Sequence, residues 1–181
     1  GLLNINNSYL NLIAGEHSNS AMTSGSVAAL ASGDLLPAEG WDLNTLSNTE
    51  PAGTYLDESA HYLVDLSGPT GSTFTLTATL IWWIELNQDN INNFYLYLFN
   101  ATTGQELDAS NSTIDNVQEI YMQNLPAGEY DLAVTKSAAG MVSQTDTYAL
   151  AYNFESVPEP SDALLLLPGA ALLALARRRW F

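Results

Sequence analysis

The chain has 181 residues, with 20 acidic residues against 4 basic, two histidines and no cysteine. That length holds one domain of ~130–150 residues and a tail. Lys136 is the only basic residue before Arg177, which excludes nucleic acid and anionic lipid headgroups as partners of residues 1–160, and the lack of cysteine excludes a disulfide framework and thiol chemistry.

An acidic chain can be disordered, but 46% apolar residues and a full aromatic set predict a packed core here. Residues 1–15 place apolar side chains at Leu2, Leu3, Ile5, Tyr9, Leu10, Leu12 and Ile13, the spacing of a short helix ended by Gly15. Residues 16–33 are small and polar, with an apolar stretch at Val27–Leu30 that fits strand or helix. Gly40-Trp41-Asp42-Leu43 is followed by a turn-rich stretch to Gly53. From Tyr55 the pattern is β. His61–Leu66 is a strand followed by the turn Ser67–Gly71. Ser72–Ile84 sets Phe74, Leu76, Ala78, Leu80, Trp82 and Ile84 on one face and threonines on the other. A polar loop, Asn87–Asn93, leads to the strand Phe94–Phe99 and the turn Asn100–Gly104. Strands at Val117–Gln123, Glu129–Thr135 and Thr147–Phe154 complete the set, with a turn at Leu125–Gly128. Five or six strands with turns about every ten residues predict an all-β fold, an antiparallel, jelly-roll-like β-sandwich. The expected organisation is an N-terminal helix and irregular segment over 1–53, a sandwich over 54–155 and a tail over 156–181, the tail carrying a hydrophobic helix.

Candidate sites are few. Asp89, Asn90, Asn92 and Asn93 cluster in one loop and offer oxygen ligands to calcium, although Asx residues also fill turns for backbone reasons and the EF-hand spacing is absent. No other cofactor is expected. Trp41, Trp82 and Trp83 are candidates for stacking on a sugar. Trp82 is in phase with the core and Trp83 with the opposite face, so Trp83 is the better candidate. Asn100-Ala101-Thr102 and Asn111-Ser112-Thr113 have the glycosylation spacing and are expected to be turns. His17 and His61 are expected at the surface or at strand edges, each without a patterned aspartate, so no catalytic triad is expected.

The tail has three parts in order: Val157-Pro158-Glu159-Pro160, a charge-free run from Ala163 to Ala176, and Arg177-Arg178-Arg179. The run contains Ala163, Leu164, Leu165, Leu166, Leu167, Leu172, Leu173 and Leu175, interrupted by Pro168-Gly169. As a helix it reaches about 21 Å, short of a ~30 Å hydrocarbon core. Ser161 and Asp162 at one end and Trp180 and Phe181 at the other extend the span, and the arginines snorkel to headgroups. The positive-inside rule places Arg177, Arg178 and Arg179 in the cytoplasm and residues 1–160 outside it.

These three parts resemble the PEP-CTERM sorting signal of Gram-negative bacteria. The resemblance covers residues 157–181. It implies export, anchoring in the inner membrane by the C-terminus, processing there near the Pro158-Glu159-Pro160 motif by an exosortase-type membrane enzyme, and then a place at the cell surface or outside the cell. Gly1-Leu2-Leu3-Asn4 lacks the basic region and apolar core of an export signal, so a mature chain or a fragment of a longer precursor is expected.

A second resemblance covers the body. Gly1-Leu2-Leu3-Asn4-Ile5 to Tyr9 is similar to the last helix of the subtilisin-like peptidase domain. Ala78–Trp82, Tyr95–Phe99, Asp115–Ile120 and Leu125–Leu132 are similar, in order, to the sandwich appended to such peptidases. The peptidase machinery is not carried over. Met22-Thr23-Ser24-Gly25 looks superficially like a nucleophile loop, but it follows the supposed final helix, so chain order contradicts it. Together the two resemblances imply an exported, non-catalytic sandwich at the cell surface or extracellular matrix, the C-terminal part of a subtilase-like protein. Two alternatives stand beside it. One is a self-assembling filament or matrix subunit, joined by strand addition. The other is a module that binds extracellular polysaccharide.

Overall fold

Threonines alternating with large apolar residues between Thr73 and Trp82 make a strand with one dry face, and the chain repeats this pattern until two such faces close on each other. The computed structural model describes residues 5–84 and 91–157. In chain order these hold α1 (Ile5–Ala14), β1 (Ala21–Ser24), β2 (Glu39–Ser47), β3 (Glu58–Leu66), β4 (Thr73–Trp82), β5 (Phe94–Asn100), β6 (Glu106–Ser110), β7 (Val117–Pro126), β8 (Gly128–Lys136) and β9 (Thr145–Val157).

Two antiparallel sheets result, one ordered β1-β3-β8-β5-β6 and the other β2-β9-β4-β7. Strands β2 to β5 alternate between the sheets, β6 pairs beside β5 in the same sheet, β7 crosses back, and β8 and β9 return to interior positions, one in each sheet. This is the order of a double Greek-key, jelly-roll sandwich, with β1 as an added edge strand. Between the sheets lie Tyr62, Val64 and Leu66 of β3, Leu76, Leu80 and Trp82 of β4, Phe94, Leu96 and Leu98 of β5, Leu132 and Val134 of β8, and Tyr148, Leu150, Tyr152 and Phe154 of β9. Full burial of each such side chain contributes about 1.5–3 kcal/mol. Trp82, Phe94 and Tyr148 form one aromatic chain across the gap, with ring centroids 5.3 and 5.8 Å apart.

The described residues contain nine strands where five or six were expected, because β1, β2 and β6 carry no clear alternation. In β2 the residues that face inward, in register with Tyr152, Leu150 and Tyr148, are Gly40, Asp42 and Asn44, whereas Leu43 is exposed. The polarity is inverted relative to an ordinary half-buried strand, so the pattern reads as turn. Asp42 is only 2% exposed and accepts a hydrogen bond from the Tyr62 hydroxyl at 2.6 Å. β1 has four residues, too few for a period to show, and the short edge strand β6 is defined by its pairing with β5. Within the stretch expected to be irregular beyond its helix, β2 therefore pairs along its whole length with β9.

The helix ends as expected. Gly15 has φ +96°, the left-handed conformation that glycine adopts without a Cβ penalty, and the His17 ring bonds the Ala14 carbonyl at 3.0 Å. Gly15 and His17 then exchange backbone hydrogen bonds with Trp41, which docks the helix end on β2. Among the described residues no helix is long and apolar enough to cross a membrane. The expected C-terminal helix over Ala163–Ala176, with Arg177–Arg179 beyond it, lies outside the described residues.

Candidate functional site

The outer face of the β2-β9-β4-β7 sheet carries a furrow. Along β9, large residues point inward (Tyr148, Leu150, Tyr152) and small ones outward (Thr147, Ala149, Ala151). On the flanking strands the outward residues opposite Ala149 are Leu43 of β2 and Ile81 of β4. A small residue between two larger ones makes a trough along the central strand. Trp83, immediately after β4, closes one end. The resulting cleft of about 490 Å³ is lined by Leu43, Ile81, Trp82, Trp83, Thr145, Asp146, Thr147, Tyr148 and Ala149. Trp83 is 68% exposed and Trp82 only 4%, as their phase on the strand predicts.

Hydroxyls flank the apolar floor. Thr45 and Thr147 share one hydrogen bond at 3.1 Å, and Ser47 and Thr145 share another at 2.6 Å. All four residues are exposed. A hydroxyl offers one donor and two acceptor positions, so each pair keeps one O–H and several lone pairs for a ligand. At the end of the cleft Asp146 is held from behind. Its carboxylate accepts from Asn92 Nδ2 at 2.8 Å and from the Thr147 backbone N–H at 2.7 Å.

Trp41, the other candidate for stacking, is half-buried where α1 docks on β2. Asn92 is 2% exposed, and its carboxamide is fully engaged. The oxygen accepts from the backbone N–H groups of Val142 and Ser143, and the nitrogen donates to Ser143 Oγ and Asp146. Asn93 Nδ2 donates to the Ala139 carbonyl. Both side chains clamp the loop between β8 and β9. Asp89 and Asn90, the other two residues of the calcium expectation, lie outside the described residues. Among the described residues no group of three or more His, Asp or Glu side chains is placed to hold a metal. Asn100 makes a turn, its side-chain oxygen accepting from the Thr103 N–H at 2.8 Å.

His61 corrects the expectation of a histidine at the surface or an edge, without an aspartate. It is 0% exposed on the outer face of β3, and its Nδ1 lies 2.8 Å from Asp131 Oδ2 on β8. Its Nε2 lies 2.8 Å from Thr23 Oγ1 on β1, and the Leu30 N–H donates to the same aspartate oxygen at 2.8 Å. The Nδ1–H of the imidazole faces the Asp131 carboxylate, and Nε2 shares the second hydrogen bond with the Thr23 hydroxyl. The order carboxylate, imidazole, hydroxyl is that of a triad, but here the imidazole has no exposed surface. The chain of bonds ties β1 and the Val27–Leu30 stretch onto the sheet. Sequence spacing hid it, because Asp131 is 70 residues from His61.

A third polar group lies between the sheets. The Tyr62 hydroxyl bonds both Asp42 and the Tyr148 hydroxyl, at 2.6 and 2.7 Å. Burial first, and the neighbouring Tyr148 and Asp42 after it, push the Tyr62 phenol far above its ordinary range. Burial raises Tyr148 and Tyr152 as well. Lys136, the one basic residue of the body, is itself buried and donates to the Asn48 side chain and to the Ser143 carbonyl.

No protein-family model matches the chain, and no curated protein matches it. Solved structures similar to it share little sequence. The pre-peptidase C-terminal domain of a collagenase from Bacillus anthracis is 13% identical with a TM-score of 0.39, over 61% of this chain and 87% of that one. The Aeromonas hydrophila periplasmic inhibitor of g-type lysozyme is 10% identical with a TM-score of 0.40, over 65% and 87%. A carbohydrate-binding module, TmCBM61, in complex with β-1,4-galactotriose is 11% identical with a TM-score of 0.34, over 66% and 88%.

Proposed function

We propose that this chain is an exported, non-catalytic β-sandwich, sorted to the cell surface or extracellular matrix of a Gram-negative bacterium by its C-terminal tail. It positions or stabilises material there, as the C-terminal part of a subtilase-like surface protein. The observation that carries the reading is the three-part sequence of the tail: Pro-Glu-Pro, then an apolar run, then three arginines. The fold adds one support. β9 includes Val157, the first residue of the motif, and Pro158 has no N–H with which to extend a strand. The non-catalytic part of the reading is supported by the solvent-inaccessible His61, which serves as a pin between strands.

The test is made in the native cells. Intact mass and terminal peptides of the wild type should show a chain ending near Pro160 outside the cell. Replacing Pro158, Glu159 and Pro160 by alanine should leave Arg177–Arg179 attached and the protein in the membrane fraction. A mature wild-type protein that retains its arginines would sink the reading, as would identical fractionation of the two forms.

A further inference from the structure

We infer that the Trp83 furrow is a binding site for an uncharged polysaccharide, with the sugar backbone lying along β9. A pyranose ring presents a C–H face and a rim of hydroxyls. The furrow offers the complement of both. The Trp83 indole is open to solvent at one end, and Leu43, Ala149 and Ile81 provide an apolar floor and flanks. The Thr45–Thr147 and Ser47–Thr145 hydroxyl pairs lie beside them, with hydrogen-bonding capacity to spare. Sugar stacking on an exposed indole needs no rearrangement of the sheet, and the outward side chains of β9 are too small to block a chain running along it.

Charge selects the class of ligand. Among the described residues the only Lys or Arg is Lys136, which is buried, so no lysine or arginine is exposed to meet a carboxylate or sulfate. Among the described residues the only carboxylate lining the cleft is that of Asp146, which repels an anion. A uronate-bearing or sulfated polymer is therefore rejected, and a neutral hexose or pentose polymer accepted. A protein partner matched to this surface would bring basic residues, and among the described residues the cleft is lined by one carboxylate, already engaged by Asn92 and Thr147. The Thr-rich walls favour hydroxyls.

The experiment is affinity electrophoresis of the purified full chain in native gels cast with mixed-linkage β-glucan, with galactomannan, or with alginate. Purified protein is used so that a failure of binding and a failure of sorting are read separately. At least one of the two neutral gels should retard the wild type, and the alginate gel should not. Trp83→Ala should lose about tenfold or more in affinity, as expected for truncating an aromatic anchor. Ala149→Leu leaves the tryptophan in place and fills the floor of the furrow, and it should abolish retardation equally. Migration unretarded in both neutral gels overturns the inference. So does retardation that survives both substitutions, or retardation by alginate that salt weakens. Sedimentation of the wild type as a Trp83-dependent dimer overturns it too, because a second copy then occupies the face.

Discussion

His61 and Asp131 form a buried ion pair or hydrogen-bonded pair whose members come from adjacent strands, with Thr23 and Leu30 completing it. Removing one member strands the other. His61→Ala leaves a carboxylate at 0% exposure with only the Leu30 N–H as partner, and one of its oxygens, Oδ1, already lacks one. Breaking such a pair costs about 3–5 kcal/mol. Urea unfolding of the variant should show a loss of that order, and limited proteolysis should open the chain between Ala21 and Leu30. An unchanged urea midpoint would show that the pair contributes nothing. Tyr62, Tyr148 and Tyr152 make a separate prediction at alkaline pH. Their phenols are held neutral in the folded state, with pKa raised above the unfolded value near 10. Between the unfolded and folded values the native chain binds more protons than the unfolded one, so stability is fully present below about pH 10 and falls as pH rises beyond it. Each such tyrosine should remove about 1.4 kcal/mol per pH unit in that window. Urea midpoints at pH 9, 10 and 11 should decline increasingly steeply for the wild type and less steeply for Tyr148→Phe; parallel curves would refute the assignment.

At the scale of elements, the docking of α1 turns on Gly40. A Cβ there would meet the His17 ring carbon Cδ2 at 2.5 Å and the Gly15 carbonyl oxygen at 3.3 Å. Gly40→Ala should therefore displace His17 from the Ala14 carbonyl and loosen the exchange of hydrogen bonds between Gly15, His17 and Trp41. The expected cost is about 1–3 kcal/mol. Hydrogen exchange should speed up over Ile5–Ala14 while β4 and β9 remain protected; equal exchange in both proteins would remove the role given to Gly40. The same region shows what a sequence discloses and what it withholds. β4 and β9 are legible because their inward residues are large and apolar and their outward residues small or hydroxylated. β2 is not, because of its inward positions only Leu46 is apolar, while Gly40, Asp42 and Asn44 are not, the last two being satisfied by each other, by Tyr62 and by Asn19, whose side chain bonds Asn44. Those partners come from other elements, and no local period announces them. Trp83 was legible as an outward aromatic from its phase alone. The furrow beside it was not, although the alternation of Thr147, Ala149 and Ala151 with large residues was the available signal. It becomes a site only when register places Leu43 and Ile81 on either side. The His61–Asp131 pair was invisible for the same reason, being a product of β3–β8 pairing.

Across the whole molecule, charge and fold work against each other. The described body carries its acidic residues with a single lysine, and that lysine is buried, so its exposed carboxylates face solvent without an exposed lysine or arginine to offset them. Folding gathers these charges into a smaller volume than the unfolded chain occupies, and their mutual repulsion opposes it. Some of the acids escape this cost, because Asp42, Glu58, Asp131 and Asp146 are buried and hydrogen-bonded. The exposed remainder are screened only by salt. The Debye length shrinks from about 30 Å at 0.01 M to about 8 Å at 0.15 M, from the size of the domain to the spacing of near neighbours. Stability should therefore rise over that interval. A gain of about 1 kcal/mol would raise Tm by roughly 2–4 °C for a chain of this size. Scanning calorimetry in 0.01 and 0.15 M sodium chloride at pH 7, with sucrose at matched osmolality as the uncharged control, measures it. A Tm that is flat or falls with salt would mean that the carboxylates do not repel one another in the folded state. That outcome would also remove the charge argument for a neutral ligand, because a surface without net repulsion has no reason to reject a uronate. A rise with salt that sucrose does not reproduce leaves a body whose surface field admits neutral or cationic partners alone.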